Sequence, residues 1–147
     1  MAIRVVVGED SVVIREGIEH MLERVEAIEI VAACADAATL RAAIAEQRPD
    51  VVLTDIRMPP TGTDEGVRAA NLIRASHPSV GVVVLSQYVE PDYALALLEH
   101  GSDGRAYLLK ERVSDVEVLR RARNPSSVGT TLRIRSRRYV ASANLGW

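Results

Sequence analysis

The sequence predicts an α/β fold, a five-stranded parallel sheet with helices on both faces. Three observations carry that prediction. Apolar runs of strand length alternate five times with segments of helical period, and such alternation implies parallel strands joined by crossover helices. Val51-Val52-Leu53 and Val82-Val83-Val84-Leu85 are nearly unbroken, as expected where a sheet is covered on both sides. Polar residues fall at the ends of these runs, where the ligands of doubly wound sheets bind.

The strands are expected at 3–7, 28–33, 51–55, 80–85 and 105–109. Between the first two, Val13, Ile14, Ile18, Met21, Leu22 and Val25 recur at helical spacing, with Ser11 as the N-cap. Leu40, Ala43 and Ile44 mark a second helix, opened by Asp36 and closed before Pro49. Val67, Ala70, Leu72 and Ile73 mark a third, preceded by Asp64 and ended before Pro78. Pro91 sits in the first turn of a fourth, where its missing N–H costs nothing. The face of that helix is Tyr93, Ala94, Leu97 and Leu98, and Gly101 is its stop. Ser114-Asp115-Val116-Glu117 reads as a capping box that starts a fifth.

A chain of 147 residues with 48% apolar content can bury one substantial core. No apolar run approaches the roughly 20 residues needed to cross a bilayer, and the N-terminus enters a strand without a signal-like segment. A cytoplasmic protein with no membrane association is the expectation. The single cysteine, Cys34, lies in an apolar stretch and reads as a packed small side chain, with no disulfide framework or metal cluster. His20, His77 and His100 read as structural; His100, just before Gly101, suits a helix C-terminus.

Glu9-Asp10 follows the first strand, Asp55 ends the third, Ser86 follows the fourth and Lys110 the fifth. Taken singly, Asp10 could cap a helix and Asp55 could be a turn acid. Together they converge at one sheet edge. Two carboxylates about 4 Å apart repel by roughly 4 kcal/mol at an effective dielectric near 20, so one stays protonated or a cation neutralises them. An all-oxygen site favours Mg²⁺, which takes one or two direct carboxylates and keeps several waters. Such a site suits phosphoryl transfer, with Asp55 as acceptor, Lys110 as the opposing cation and Ser86 as a hydroxyl donor. Lys110 is the only lysine among 18 basic residues, and an amine is not equivalent to a guanidinium fork.

Glu9-Asp10, Leu53-Thr54-Asp55-Ile56-Arg57-Met58-Pro59, Leu85-Ser86-Gln87-Tyr88 and Tyr107-Leu108-Leu109-Lys110 resemble the receiver domain of a two-component response regulator of the NarL/FixJ type. The resemblance covers about residues 1–117. It implies a flavodoxin-like sheet of order 2-1-3-4-5 and a phosphoacceptor switch in transcription control, with no enzymatic turnover beyond self-phosphorylation and dephosphorylation. Asp55 would accept a phosphoryl group from a sensor histidine kinase. Asp10, Asp55 and the backbone carbonyl of Arg57 would ligate Mg²⁺, with Glu9 acting through water. Lys110 would pair with the phosphoryl group, and Ser86 and Tyr107 would form the switch pair. Repacking of the fourth helix, fifth strand and fifth helix would offer a homodimer face. Two features depart from the family pattern: Glu111 in place of a proline after Lys110, and a longer loop over 59–66.

The likeness fades after Glu117. Residues 1–118 hold all 20 acidic and 11 basic residues, a balance of −9, whereas 119–147 hold seven arginines and no acid. The expected division is therefore a receiver over 1–123 and an Arg-rich tail over 124–147, too short for a helix-turn-helix domain. DNA would then be reached only through a missing effector domain or weakly through the tail. The tail reads as a phosphate-touching arm, as an edge or swapped strand, since 131–135 alternates at period two, or as a non-native end. Competing functions are a small Mg²⁺-dependent aspartyl phosphotransferase or phosphatase, and a receiver-like binding module that is never phosphorylated. The first would normally carry an acid two residues beyond the nucleophile, where this chain has Arg57.

Overall fold

The computed structural model describes residues 2–59, 65–86, 105–109, 119, 130–134 and 137–141. Among them the order is strand β1 (Ile3–Gly8), helix α1 (Val12–Glu23), β2 (Ile28–Cys34), α2 (Ala37–Gln47), β3 (Val51–Asp55), α3 (Glu65–Ser76), β4 (Gly81–Ser86), β5 (Arg105–Leu109), β6 (Thr130–Ile134) and β7 (Arg137–Ala141). The fourth and fifth helices expected from Pro91 and Ser114 lie outside the described residues, as do His100 and Lys110.

Both N-caps read from the sequence are in place. Ser11 is extended at φ −74°, ψ 119°, and its side chain accepts from the Ile14 N–H. Asp36 accepts from the Thr39 N–H at 2.8 Å, so one otherwise unpaired amide of each helix start is satisfied. Helix α2 ends at Arg48, which adopts the left-handed region at φ 47° and donates its N–H to the Ile44 carbonyl. Pro49 then prevents continuation. At the same end, the Arg4 guanidinium donates to the carbonyls of Gln47 and Arg48 at 2.8 and 3.2 Å, placing a cation on the negative helix end.

The strands form one sheet of order β2-β1-β3-β4-β5-β6-β7. The first five are parallel and follow the expected 2-1-3-4-5 order. The sheet is wider than five strands, because Thr130–Ile134 and Arg137–Ala141 add two more. Strand β6 runs parallel to β5 through Leu108 and Arg133, and β7 runs antiparallel to β6, with Arg133 opposite Arg138.

Alternate residues of each central strand enter two cores. Val6, Val52, Val82 and Val84 face α2 and α3, where Leu40, Ile44, Val67 and Ile73 pack on them. Val5, Val7, Leu53, Val83 and Leu85 face the other way, against Ile18, Leu22 and Leu119. A strand period of two therefore feeds both faces, which explains the unbroken apolar runs. Each fully buried Val, Leu or Ile contributes about 1.5–3 kcal/mol.

The helical faces are narrower than the sequence suggested. Val13 is 80% exposed, Leu72 52% and Met21 37%. In α1 the residues Ile14, Ile18 and Leu22, spaced four apart and followed by Val25 just past the helix, already fill the stripe against the sheet. Val13 and Met21 each lie one residue, about 100°, off that stripe.

Candidate functional site

The parallel register fixes the site before any side chain is considered. Gly8 pairs with both Thr54 and Cys34, Asp55 pairs with Leu85, and Ser86 pairs with Leu109. The carboxyl ends of β1, β3, β4 and β5 therefore finish at one edge. Glu9 and Asp10 leave β1 there, and Asp55 is the last residue of β3.

One carboxylate oxygen from each of Glu9, Asp10 and Asp55 can be chosen so that all three lie within 4.8 Å of one another. Their surroundings differ. Glu9 is buried, Asp55 is half-buried and Asp10 is exposed. Short loop contacts hold the group together. Glu9 donates its N–H to the Cys34 carbonyl at 2.9 Å. One of its carboxylate oxygens, Oε1, accepts the Ser11 N–H at 3.2 Å. Arg15 donates to the Glu9 carbonyl at 2.8 Å, which ties the β1–α1 loop to the first turn of α1. Asp55 Oδ1 accepts the Ile56 N–H at 2.8 Å. Below it, the buried Thr54 hydroxyl donates to the Asp55 carbonyl at 3.1 Å.

Gly8 packs closely beneath this assembly. A Cβ there would lie 3.1 Å from Thr54 Oγ1 and 3.1 Å from Leu40 Cδ2, so the tips of these two side chains would have to give by a few tenths of an ångström. Sequence reading passed over Gly8, Arg15 and Thr54. Gly8 carried a signal, being a glycine at the end of an apolar strand beside acids. Arg15 carried none, because its role depends on where α1 leaves the sheet.

The donor set fits a hard divalent cation. It is all oxygen, anionic and open on the Asp10 side, which suits an ion that holds several waters. Arg57, whose carbonyl is the expected third ligand, is exposed in the loop directly after β3. Ser86 ends β4, and Tyr107 lies in β5 opposite Val84. Ser86 and Tyr107 thus occupy diagonal positions on neighbouring strands.

Cys34, at the end of β2 beside the β1–α1 loop, has its thiol pushed up from the ordinary value, chiefly by burial. Its Sγ contacts the Thr39 carbonyl at 3.5 Å. Among the described residues no other group of three His, Cys, Asp or Glu could hold a metal, and no helix is long and apolar enough to cross a membrane.

An acidic triad at the carboxyl edge of a 2-1-3-4-5 sheet matches a known family. The profile of the response regulator receiver domain family matches residues 5–121. The chain belongs to this family.

Relatives agree with that placement of the receiver. The transcriptional regulatory protein LnrK of Bacillus subtilis is 33% identical over 116 residues, covering 79% of this chain and 50% of its own. The oxygen regulatory protein NreC of Staphylococcus epidermidis is 30% identical over 116 residues, covering 79% of this chain and 51% of its own. Among solved structures, the signal receiver domain of the response regulator NarL from Mycobacterium tuberculosis superposes with a TM-score of 0.69 at 29% identity. That match covers 79% of this chain and 93% of the NarL domain. The receiver chain spans about half the length of the curated relatives it matches.

Proposed function

We propose that this receiver is a Mg²⁺-dependent phosphoacceptor switch that takes a phosphoryl group on Asp55 from a sensor histidine kinase and relays it to transcription control. The convergence of Glu9, Asp10 and Asp55 within 4.8 Å at the carboxyl edge of the sheet carries this reading. Asp10, Asp55 and the Arg57 carbonyl would ligate the ion, and Glu9 would act through a bound water. When bound, the ion neutralises the attacking carboxylate and the phosphoryl oxygens.

In the reaction, a carboxylate oxygen of Asp55 attacks the phosphorus of a phosphohistidine. The P–N bond breaks, its electron pair stays on the imidazole, and an acyl phosphate forms on Asp55. The Ile56 N–H holds Oδ1 of that carboxylate at 2.8 Å, which fixes the carboxylate's orientation at the end of β3. Lys110 supplies the cation that pairs with the transferred group. The new charge of about −1.5 to −2 stays on Asp55, and the hydroxyl of Ser86 and the ring of Tyr107 repack in response, changing the outer face beside β5. A homodimer would assemble on the face that the sequence assigns to a fourth helix, β5 and a fifth helix.

Docking of the kinase is supported by Val12 and Val13, 56% and 80% exposed. They follow Asp10 and Ser11 directly, so apolar contact area borders the acids. A cytoplasmic location accompanies this partner. DNA control would run through an effector domain, and the seven arginines of 119–147 would add at most a non-specific phosphate contact.

The test is intact mass after incubation with a small phosphodonor, with and without Mg²⁺, on this protein and on Asp55→Asn. A Mg²⁺-dependent gain of one phosphoryl that the variant lacks is the expected result. No gain in either protein would leave a binding module on the same fold.

A further inference from the structure

Helix α3 meets the end of β3 backbone to backbone, and one residue makes that possible. Gly66, the second residue of α3, donates its N–H to the Ile56 carbonyl at 2.8 Å. A Cβ at Gly66 would lie 1.9 Å from the Asp55 carbonyl oxygen, 2.8 Å from its carbonyl carbon and 3.0 Å from Ile56 Cα. All three are backbone atoms, so no flexible side chain can move aside. Reaching even the 3.0 Å limit from 1.9 Å demands more than 1 Å of backbone displacement.

The atoms that would move are those that aim the acceptor. Ile56 donates its N–H to Asp55 Oδ1 at 2.8 Å, and its carbonyl receives the Gly66 N–H at 2.8 Å. The two hydrogen bonds run in series from α3 to the carboxylate. On the opposite side, the Thr54 hydroxyl donates to the same Asp55 carbonyl that a Gly66 side chain would strike. The peptide linking Asp55 to Ile56 is thereby clamped between α3 and β3.

We infer that Gly66 is a positioning residue for the acceptor: its missing side chain and its N–H together set the direction of the Asp55 carboxylate toward Glu9 and Asp10. This rests on the reading of Asp55 as a phosphoacceptor that shares a cation with those acids. Gly17 is the natural control. It lies mid-way along α1, and a Cβ there meets nothing within 4 Å.

The experiment compares the full chain with Gly66→Ala and Gly17→Ala. Three quantities are read: the urea midpoint, the Mg²⁺ dissociation constant from amide chemical shifts, and the rate of phosphorylation by a small phosphodonor. In Gly66→Ala, Mg²⁺ affinity falls about tenfold, the usual scale for a residue that orients a ligand. Phosphorylation falls about 100-fold, the scale of a 1 Å misplacement. Gly17→Ala keeps both values.

A merely structural glycine would lower the urea midpoint and leave the Mg²⁺ constant of the folded protein intact; that result overturns the inference. If Gly66→Ala does not fold, the unaltered chain decides. The Gly66 and Ile56 amide signals should then shift together on Mg²⁺ addition with one dissociation constant, and a Gly66 amide that stays still overturns the proposal. Should the unaltered chain bind Mg²⁺ without accepting a phosphoryl group, the proposed function fails, while these Mg²⁺ readouts still judge Gly66.

Discussion

Replacing Asp10 with Asn should make the Mg²⁺-free protein more stable and its response to Mg²⁺ weaker. Oxygens of Asp10, Glu9 and Asp55 lie within 4.8 Å of one another. At that separation each ionised pair repels by about 0.9 kcal/mol if screened as in water and about 3.5 kcal/mol at an effective dielectric of 20. Asp10 is exposed, so the lower figure governs its two pairs, and the variant should gain about 2 kcal/mol. Mg²⁺ reverses the order. At a hundredfold excess over its dissociation constant, an ion bound only by the folded state adds about 2.7 kcal/mol, and Asp10→Asn should lose most of that gain. Urea unfolding at pH 8, with and without Mg²⁺, measures all four values. A variant less stable than its parent without Mg²⁺, or one that keeps the full Mg²⁺ gain, would refute the electrostatic reasoning.

Replacing both Val12 and Val13 with Ser should slow phosphotransfer from the cognate kinase about tenfold, equivalent to about 1.4 kcal/mol of lost contact. The rate with a small phosphodonor should not change. Arg48→Gly should raise stability by about 0.5–1 kcal/mol in thermal unfolding, because a side chain at φ 47° is strained and glycine is not. The Thr39 N–H holds the Asp36 carboxyl below the ordinary carboxylate range. A lowered folded value means that its stabilisation is present above the unfolded pKa and lost as pH falls through the folded one. Asp36→Ala should therefore lower the urea midpoint at pH 7, and its gap to the parent should shrink below about pH 4. Burial should also slow the native-state reaction of Cys34 with a thiol reagent at pH 8, with labelling becoming fast in denaturant.

Much of this protein is written in local sequence. The strands of the parallel sheet, the caps Ser11 and Asp36, and the stops before Pro49 and Pro78 follow from periodicity and backbone chemistry that act over a few residues. The acids at the strand ends were legible for the same reason: β-α alternation dictates that carboxyl ends share an edge. Burial on helices was less legible. Val13 and Met21 are apolar like Ile18, yet the angle at which α1 meets the sheet leaves them outside. A strand over 131–135 was one of three readings for the tail, as an edge or swapped segment; the second strand β7 that pairs with it was not read, because a short alternating run does not specify its partner strand. The parts played by Gly8, Arg15 and Gly66 were decided by tertiary structure, although Gly8 carried a sequence signal. Their parts depend on which backbone lies across from them, and for Gly66 on a carbonyl oxygen 1.9 Å from where a Cβ would sit. The sequence by itself determined the five parallel strands, the first three helices, their order and the convergence of Glu9, Asp10 and Asp55. Only three-dimensional packing decided which neighbours hold those acids in place, since that depends on approach distances between segments far apart in the chain.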